Sequence, residues 1–166
     1  RTAQAVGVKG WYAELAPLWG FDAPKAWLGA KLLERPDQDA EELLTRWFAA
    51  AYGPAAEPMR AAYRIVEAAW TRDAQVGGAN QWIRHFREER SAAVLTEDEV
   101  TRLSAYVAQA EAALAENDKL TFRLQNQRWR LQQFVDAWTL SVKFRQVYAA
   151  RMASASTSTQ ALSCLQ

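Results

Sequence analysis

The sequence predicts a mainly α-helical fold, a helical bundle preceded by one short amino-terminal β-strand. Three observations carry this reading. Apolar residues recur at intervals of three and four along most of the chain. Capping and breaking residues divide those stretches into segments of helical length. Only residues 6–13 have the short, β-branched and aromatic composition of a strand. At 166 residues the chain is long enough for one compact domain with a real core.

The strand is Val6-Gly7-Val8-Lys9-Gly10-Trp11-Tyr12-Ala13. A lone strand leaves its backbone donors and acceptors without partners, so either sequence upstream of Arg1 supplies a sheet or the segment is a loop. The chain opens on Arg1 rather than methionine, with no charged and apolar leader, as an internal start would. Asp22 then caps a helix over 23–34, with Pro24 in its first turn and Pro36 forcing its end. Asp37 or Asp39 caps the next, in which Leu43, Leu44, Trp47, Phe48 and Ala51 recur at helical spacing before Gly53-Pro54.

A third helix over 55–72 places Met59, Tyr63, Val66 and Trp70 on one face, and Gly77-Gly78 breaks the chain. Residues 79–90 can form a short helix with Trp82, Ile83 and Phe86 on its apolar side. Thr96-Glu97-Asp98-Glu99 is a capping box: the threonine hydroxyl reaches the third amide and Glu99 reaches back. The helix it opens carries Val100, Leu103, Val107, Ala110 and Leu114 inward. Asn117-Asp118 supplies a turn and a fresh cap for a last helix over 119–152, with Leu124, Leu131, Val135, Trp138 and Val142 along its seam. These two helices are expected to pair antiparallel. The tail 153–166 loses periodicity, is rich in small polar residues and is expected to be disordered.

Composition excludes several functions. Twenty basic residues against nineteen acidic ones leave a net charge of +1, without the field a nucleic-acid binder uses on phosphates. No apolar run approaches the roughly 20 residues of a membrane span. The one cysteine, Cys164, can form neither an internal disulfide nor a thiolate metal site. His85, the only histidine, has Arg84, Phe86 and Arg87 as neighbours and suits a helix surface. Phosphate-cradling and nucleophile-elbow motifs are absent. No metal or other cofactor is expected.

Lys31-Leu32-Leu33, Asp37, Asp39, Tyr52-Gly53, Ala55-Ala56-Glu57-Pro58-Met59 and Tyr63 together resemble the bacterial domain of unknown function 4838. The likeness spans about residues 6–70 and departs from the family pattern at Glu34-Arg35, where a tryptophan is usual, and at Ala51-Tyr52, where two aromatics are usual. That family is similar to glycoside hydrolases of the α-glucuronidase and family 20 hexosaminidase type, whose TIM-barrel catalytic domain is followed by helices. The resemblance implies that residues 1–22 are the last barrel strand and its following loop, that 23–152 are a helical carboxy-terminal region, and that catalysis sits upstream. It also implies a carbohydrate partner, contact with an upstream domain of the same protein, and a secreted or periplasmic location.

Trp11-Tyr12-Ala13-Glu14 further resembles the tryptophan-to-glutamate element on a late strand of family 20 hexosaminidases, where the carboxylate holds sugar hydroxyls. Glu14 is a candidate for that role against a plain loop carboxylate, and it has no evident partner to complete the carboxyl pair that glycosidases use. Asp37, Asp39, Glu41, Glu42, Glu97 and Asp98 sit where helix caps and first turns favour negative charge. Pyranose rings present flat C–H faces to aromatic rings, so Trp11, Tyr12 and Trp19 join Glu14 as candidate sugar contacts. Trp27, Trp47, Trp70, Trp82, Trp129 and Trp138 fall within expected helices and read as core. A free-standing helical module that binds another protein is the alternative, and a helical sugar-binding appendage is a third; the latter would keep its aromatic residues exposed in a groove.

Overall fold

The computed structural model describes residues 5–8, 19–77, 94–116 and 121–163, the side chains of Trp19, 73–77 and 156–163 excepted. The fold is mainly helical. Helix α1 runs over Trp19–Glu34, α2 over Ala40–Tyr52, a 3-10 turn over Gly53–Ala55, α3 over Ala56–Gly77, α4 over Glu97–Ala115 and α5 over Phe122–Ser163. Among the described residues no helix is long and apolar enough to cross a membrane. The chain divides into two compact units, Arg1–Arg60 with Tyr106–Ala137 and Ala61–Ala105 with Trp138–Gln166.

In the first unit, α1 starts four residues earlier than its sequence signals suggest. Asp22 therefore lies in the first turn, where it favours the helix dipole, and is not the cap. The helix ends as Pro36 requires, and the Gln38 side chain donates to the carbonyls of Lys31 and Arg35, both at 3.1 Å. Of the two candidate caps for α2, Asp39 acts: its carboxylate accepts from the Glu42 N–H at 2.8 Å. Gly53 ends that helix at φ 54° and ψ −118°, a conformation that side-chain-bearing residues rarely adopt.

Leu43, Phe48, Ala51 and Tyr52 of α2 are buried, as are Met59 of α3, Leu114 of α4 and Leu124, Leu131 and Phe134 of α5. Gly20 of α1 lies so close to α5 that a Cβ would stand 2.6 Å from the Gln133 carbonyl oxygen. One residue on, Phe21 meets Phe134 edge to face at 5.2 Å.

In the second unit, Ala62, Tyr63, Ile65, Val66 and Ala69 of α3, Leu103 of α4 and Trp138 of α5 are buried. The capping box forms as its sequence implies: the Glu99 N–H donates to Thr96 Oγ1 at 3.2 Å and the Thr96 N–H to Glu99 Oε2 at 2.9 Å. Arg145 of α5 donates to the Leu95 carbonyl at 3.1 Å and to Glu97 at 2.6 Å. In the first unit Arg128, near the start of α5, donates to the Leu114 carbonyl near the end of α4 at 2.9 Å.

Several expectations need correction. The described part of the expected strand, residues 6–8, is turn and coil, and Val6 and Val8 are exposed; residues 9–13 lie outside the described residues, as do the expected helix at 79–90 and the Asn117-Asp118 turn. Thr121 caps α5, its hydroxyl accepting from the Leu124 N–H at 3.2 Å. That helix continues through Ser163, so the tail expected to be disordered from 153 is helical as far as it is described. Trp70 is exposed while Ala69 is fully buried, because the inward face of α3 is centred on Met59, Ala62, Val66 and Ala69. The seam of α5 uses Gln127 and Phe134 in place of the expected Val135 and Val142, which are only half-buried.

Candidate functional site

Of the residues singled out for sugar contact, Trp11, Tyr12 and Glu14 lie outside the described residues, and Trp19 is described only as the first residue of α1. Among the described residues the structure assembles another set of aromatic side chains, all in the first unit.

An open cleft of about 520 Å³ lies between α1, α2 and α5. Trp27 reaches it from α1, Trp47 and Tyr52 from α2, and Trp129, Arg130 and Gln133 from α5. Each helix has a local reason to present these residues. Trp47 stands one position before buried Phe48, at the edge of the α2 core face, and is half-buried. Its ring is held edge-on by Phe48 at 4.9 Å and by Tyr52 at 5.8 Å. Phe48 and Tyr52 are themselves stacked, with ring centroids 6.1 Å apart. Trp129 is 60% exposed. At about 100° per residue it falls on the opposite side of α5 from Leu124 and Leu131, which explains why burial did not claim it. Trp27 is half-buried.

These rings were expected in the core. Among the helical tryptophans described, only Trp138 is buried. The sequence does hold a signal for Trp129, since it stands out of step with the three-and-four rhythm of its own helix's seam. No such signal exists for Trp27, because α1 has no strong apolar face and its partners cannot be read from spacing.

Chemically the cleft offers flat apolar faces with polar groups at one side. The small alanines Ala23, Ala50 and Ala51 leave room between the rings. Arg130 is the one charged side chain lining it among the described residues, and Gln133 adds an amide that can both donate and accept. Aromatic walls with a few polar groups are the general make-up of small-molecule sites. Its described lining holds neither a carboxyl pair nor a nucleophile–base pair.

Several residues that carry the family resemblance have structural roles. Asp39 is a helix cap, Gly53 a helix stop, and Tyr52, Ala55, Met59 and Tyr63 are buried. No protein-family model matches the chain, and no curated protein or solved structure is significantly similar to it.

Proposed function

We propose that this chain is the helical carboxy-terminal portion of a glycoside-hydrolase-like protein, and that its aromatic cleft contacts carbohydrate. The observation that carries the reading is the convergence of Trp27, Trp47 and Trp129 on one open cleft beside Arg130 and Gln133. Aromatic faces carry partial negative charge and attract the polarised C–H groups of a pyranose, while the amide and guanidinium can hold its oxygens. Three large rings kept partly in water lose hydrophobic stabilisation that burial would provide, and a ligand face that covers them restores it.

The resemblance over about residues 6–70 supplies the wider setting. In it the helices brace a TIM-barrel domain that performs the hydrolysis, and Glu14 sits near the sugar. An extracellular or periplasmic location follows from the same likeness.

The test is a tryptophan-fluorescence titration with a panel of plant and bacterial oligosaccharides. Saturable quenching is expected for the wild-type chain, weakened at least about tenfold in Trp129→Ala, since loss of one stacked ring removes about 1.5 kcal/mol. Quenching that is equal in the two proteins would sink the reading.

A second reading, a helical protein-interaction module without catalysis, is favoured by one observation. Leu140, Phe144 and Val147 lie on one exposed face of α5 at spacings of four and three. Self-association of the chain at micromolar concentration that Phe144→Glu abolishes would support it; a monomer would count against it.

A further inference from the structure

The cleft has a sign of charge as well as a shape. Arg130 lines it, no acidic side chain does so among the described residues, and no carboxylate there pairs with the Arg130 guanidinium. Four other arginines pair with carboxylates: Arg60 with Glu41, Arg72 with Glu99, Arg102 with Asp98 and Arg145 with Glu97. The neighbouring Arg128 donates to the Leu114 carbonyl. Arg130 stands directly after Trp129 on α5, so one ligand can lie against the indole and present an oxyanion to the guanidinium.

We infer that the cleft selects an anionic saccharide, one whose pyranose face covers the tryptophans while a carboxylate or sulfate meets Arg130. The inference rests on the carbohydrate reading above and adds the ligand's charge to it. A guanidinium is planar and forks two N–H donors toward the oxygens of a carboxylate or sulfate, which an ammonium or amide cannot do in one geometry. Gln133, on the same stretch of helix, is placed to hold a hydroxyl beside it. A cationic ligand, which aromatic clefts otherwise favour, is repelled by the same group.

The experiment is calorimetric titration of the whole chain with three tetrasaccharides: α-1,4-linked galacturonate, its carboxyl-reduced galactose counterpart, and a sulfated galactan. At low salt the galacturonate is expected to bind about fivefold more tightly than its reduced counterpart, the worth of one exposed charge pair. Arg130→Gln should erase that preference, and raised salt should erase it too. A preference for the sulfated sugar alone would assign the anion as sulfate. Equal affinity for charged and neutral sugars, or a preference that survives Arg130→Gln, overturns the inference and leaves the carbohydrate reading standing. No binding of any of the three, with Trp129→Ala indistinguishable from wild type, overturns both.

Discussion

The guanidinium of Arg72 donates to both carboxylate oxygens of Glu99, at 2.6 and 2.9 Å. Arg72 comes from α3 and Glu99 from the first turn of α4, so the fork ties two helices of one unit at the point where α4 begins. Arg72 also donates to the Val94 carbonyl at 2.8 Å, and Glu99 accepts from the Thr96 N–H. A capping box that is legible in the sequence thus has a partner 27 residues away that is not.

That fork sets a dependence of stability on pH. The Arg72 hydrogen bond holds the Glu99 carboxyl down at about 2 from an ordinary 4.5, against the opposing effect of burial and with help from Thr96. A carboxylate whose folded pKa is depressed adds stability above its unfolded value and loses it as pH falls through the folded one. Stability from this group is therefore full above pH 4.5 and lost progressively toward pH 2. Urea midpoints measured across that range should fall for the wild-type chain and flatten in Glu99→Gln, which at pH 7 should cost about 2 kcal/mol. An unchanged acid limb in the variant would contradict this.

Two glycines of α1 should respond to alanine with opposite signs. At Gly20 a Cβ would stand 2.6 Å from the Gln133 carbonyl oxygen and 3.0 Å from Ala137 Cβ, and a backbone atom cannot rotate away. At Gly29 a Cβ meets nothing within 4 Å. Gly29→Ala should stabilise by up to about 1 kcal/mol through helix propensity. Gly20→Ala should destabilise by about 1–3 kcal/mol in spite of the same gain. Equilibrium unfolding of the pair checks the α1–α5 crossing directly.

Trp129 and Trp138 lie on one helix and differ in what they are for. Trp138 is 6% exposed, and Trp138→Ala should cost about 3–5 kcal/mol. Trp129→Ala removes a mostly exposed ring, so its cost should stay below about 1 kcal/mol. Comparable losses at the two positions would place Trp129 in the core and remove it from the cleft.

Much of the helical framework is legible in the sequence because its signals are local. Asp39, Gly53, Pro36 and the Thr96–Glu99 box each act within one turn of chain, and each stands where its chemistry implies. Signals that depend on partners fare worse. Trp70 and Trp129 look like core by residue type, yet on α3 small residues such as Ala62 and Ala69 take the buried positions. Gln127 is buried on the α5 seam against Gly53, a polar residue that no hydrophobic pattern would select. The continuation of α5 past Met152 rests on alanine and serine, which neither favour a strong apolar stripe nor break a helix. The cleft was not legible at all, since it joins three helices, and the close approach of α1 to α5 rests on Gly20 and on the Phe21–Phe134 contact, neither of which spacing reveals. The residues first proposed for sugar contact, Trp11, Tyr12 and Glu14, lie outside the described residues, so the cleft is a separate candidate.

The central claim is that saccharide binds at this cleft, and the indole N–H resonances of the chain locate it most directly. Each tryptophan gives one such signal in a nitrogen-15 correlation spectrum, assignable by single substitution. On titration with tetragalacturonate, the signals of Trp27, Trp47 and Trp129 should move together along one saturation curve, while those of Trp70 and buried Trp138 stay in place. Shifts confined to other tryptophans, or none at saturating sugar, would contradict it.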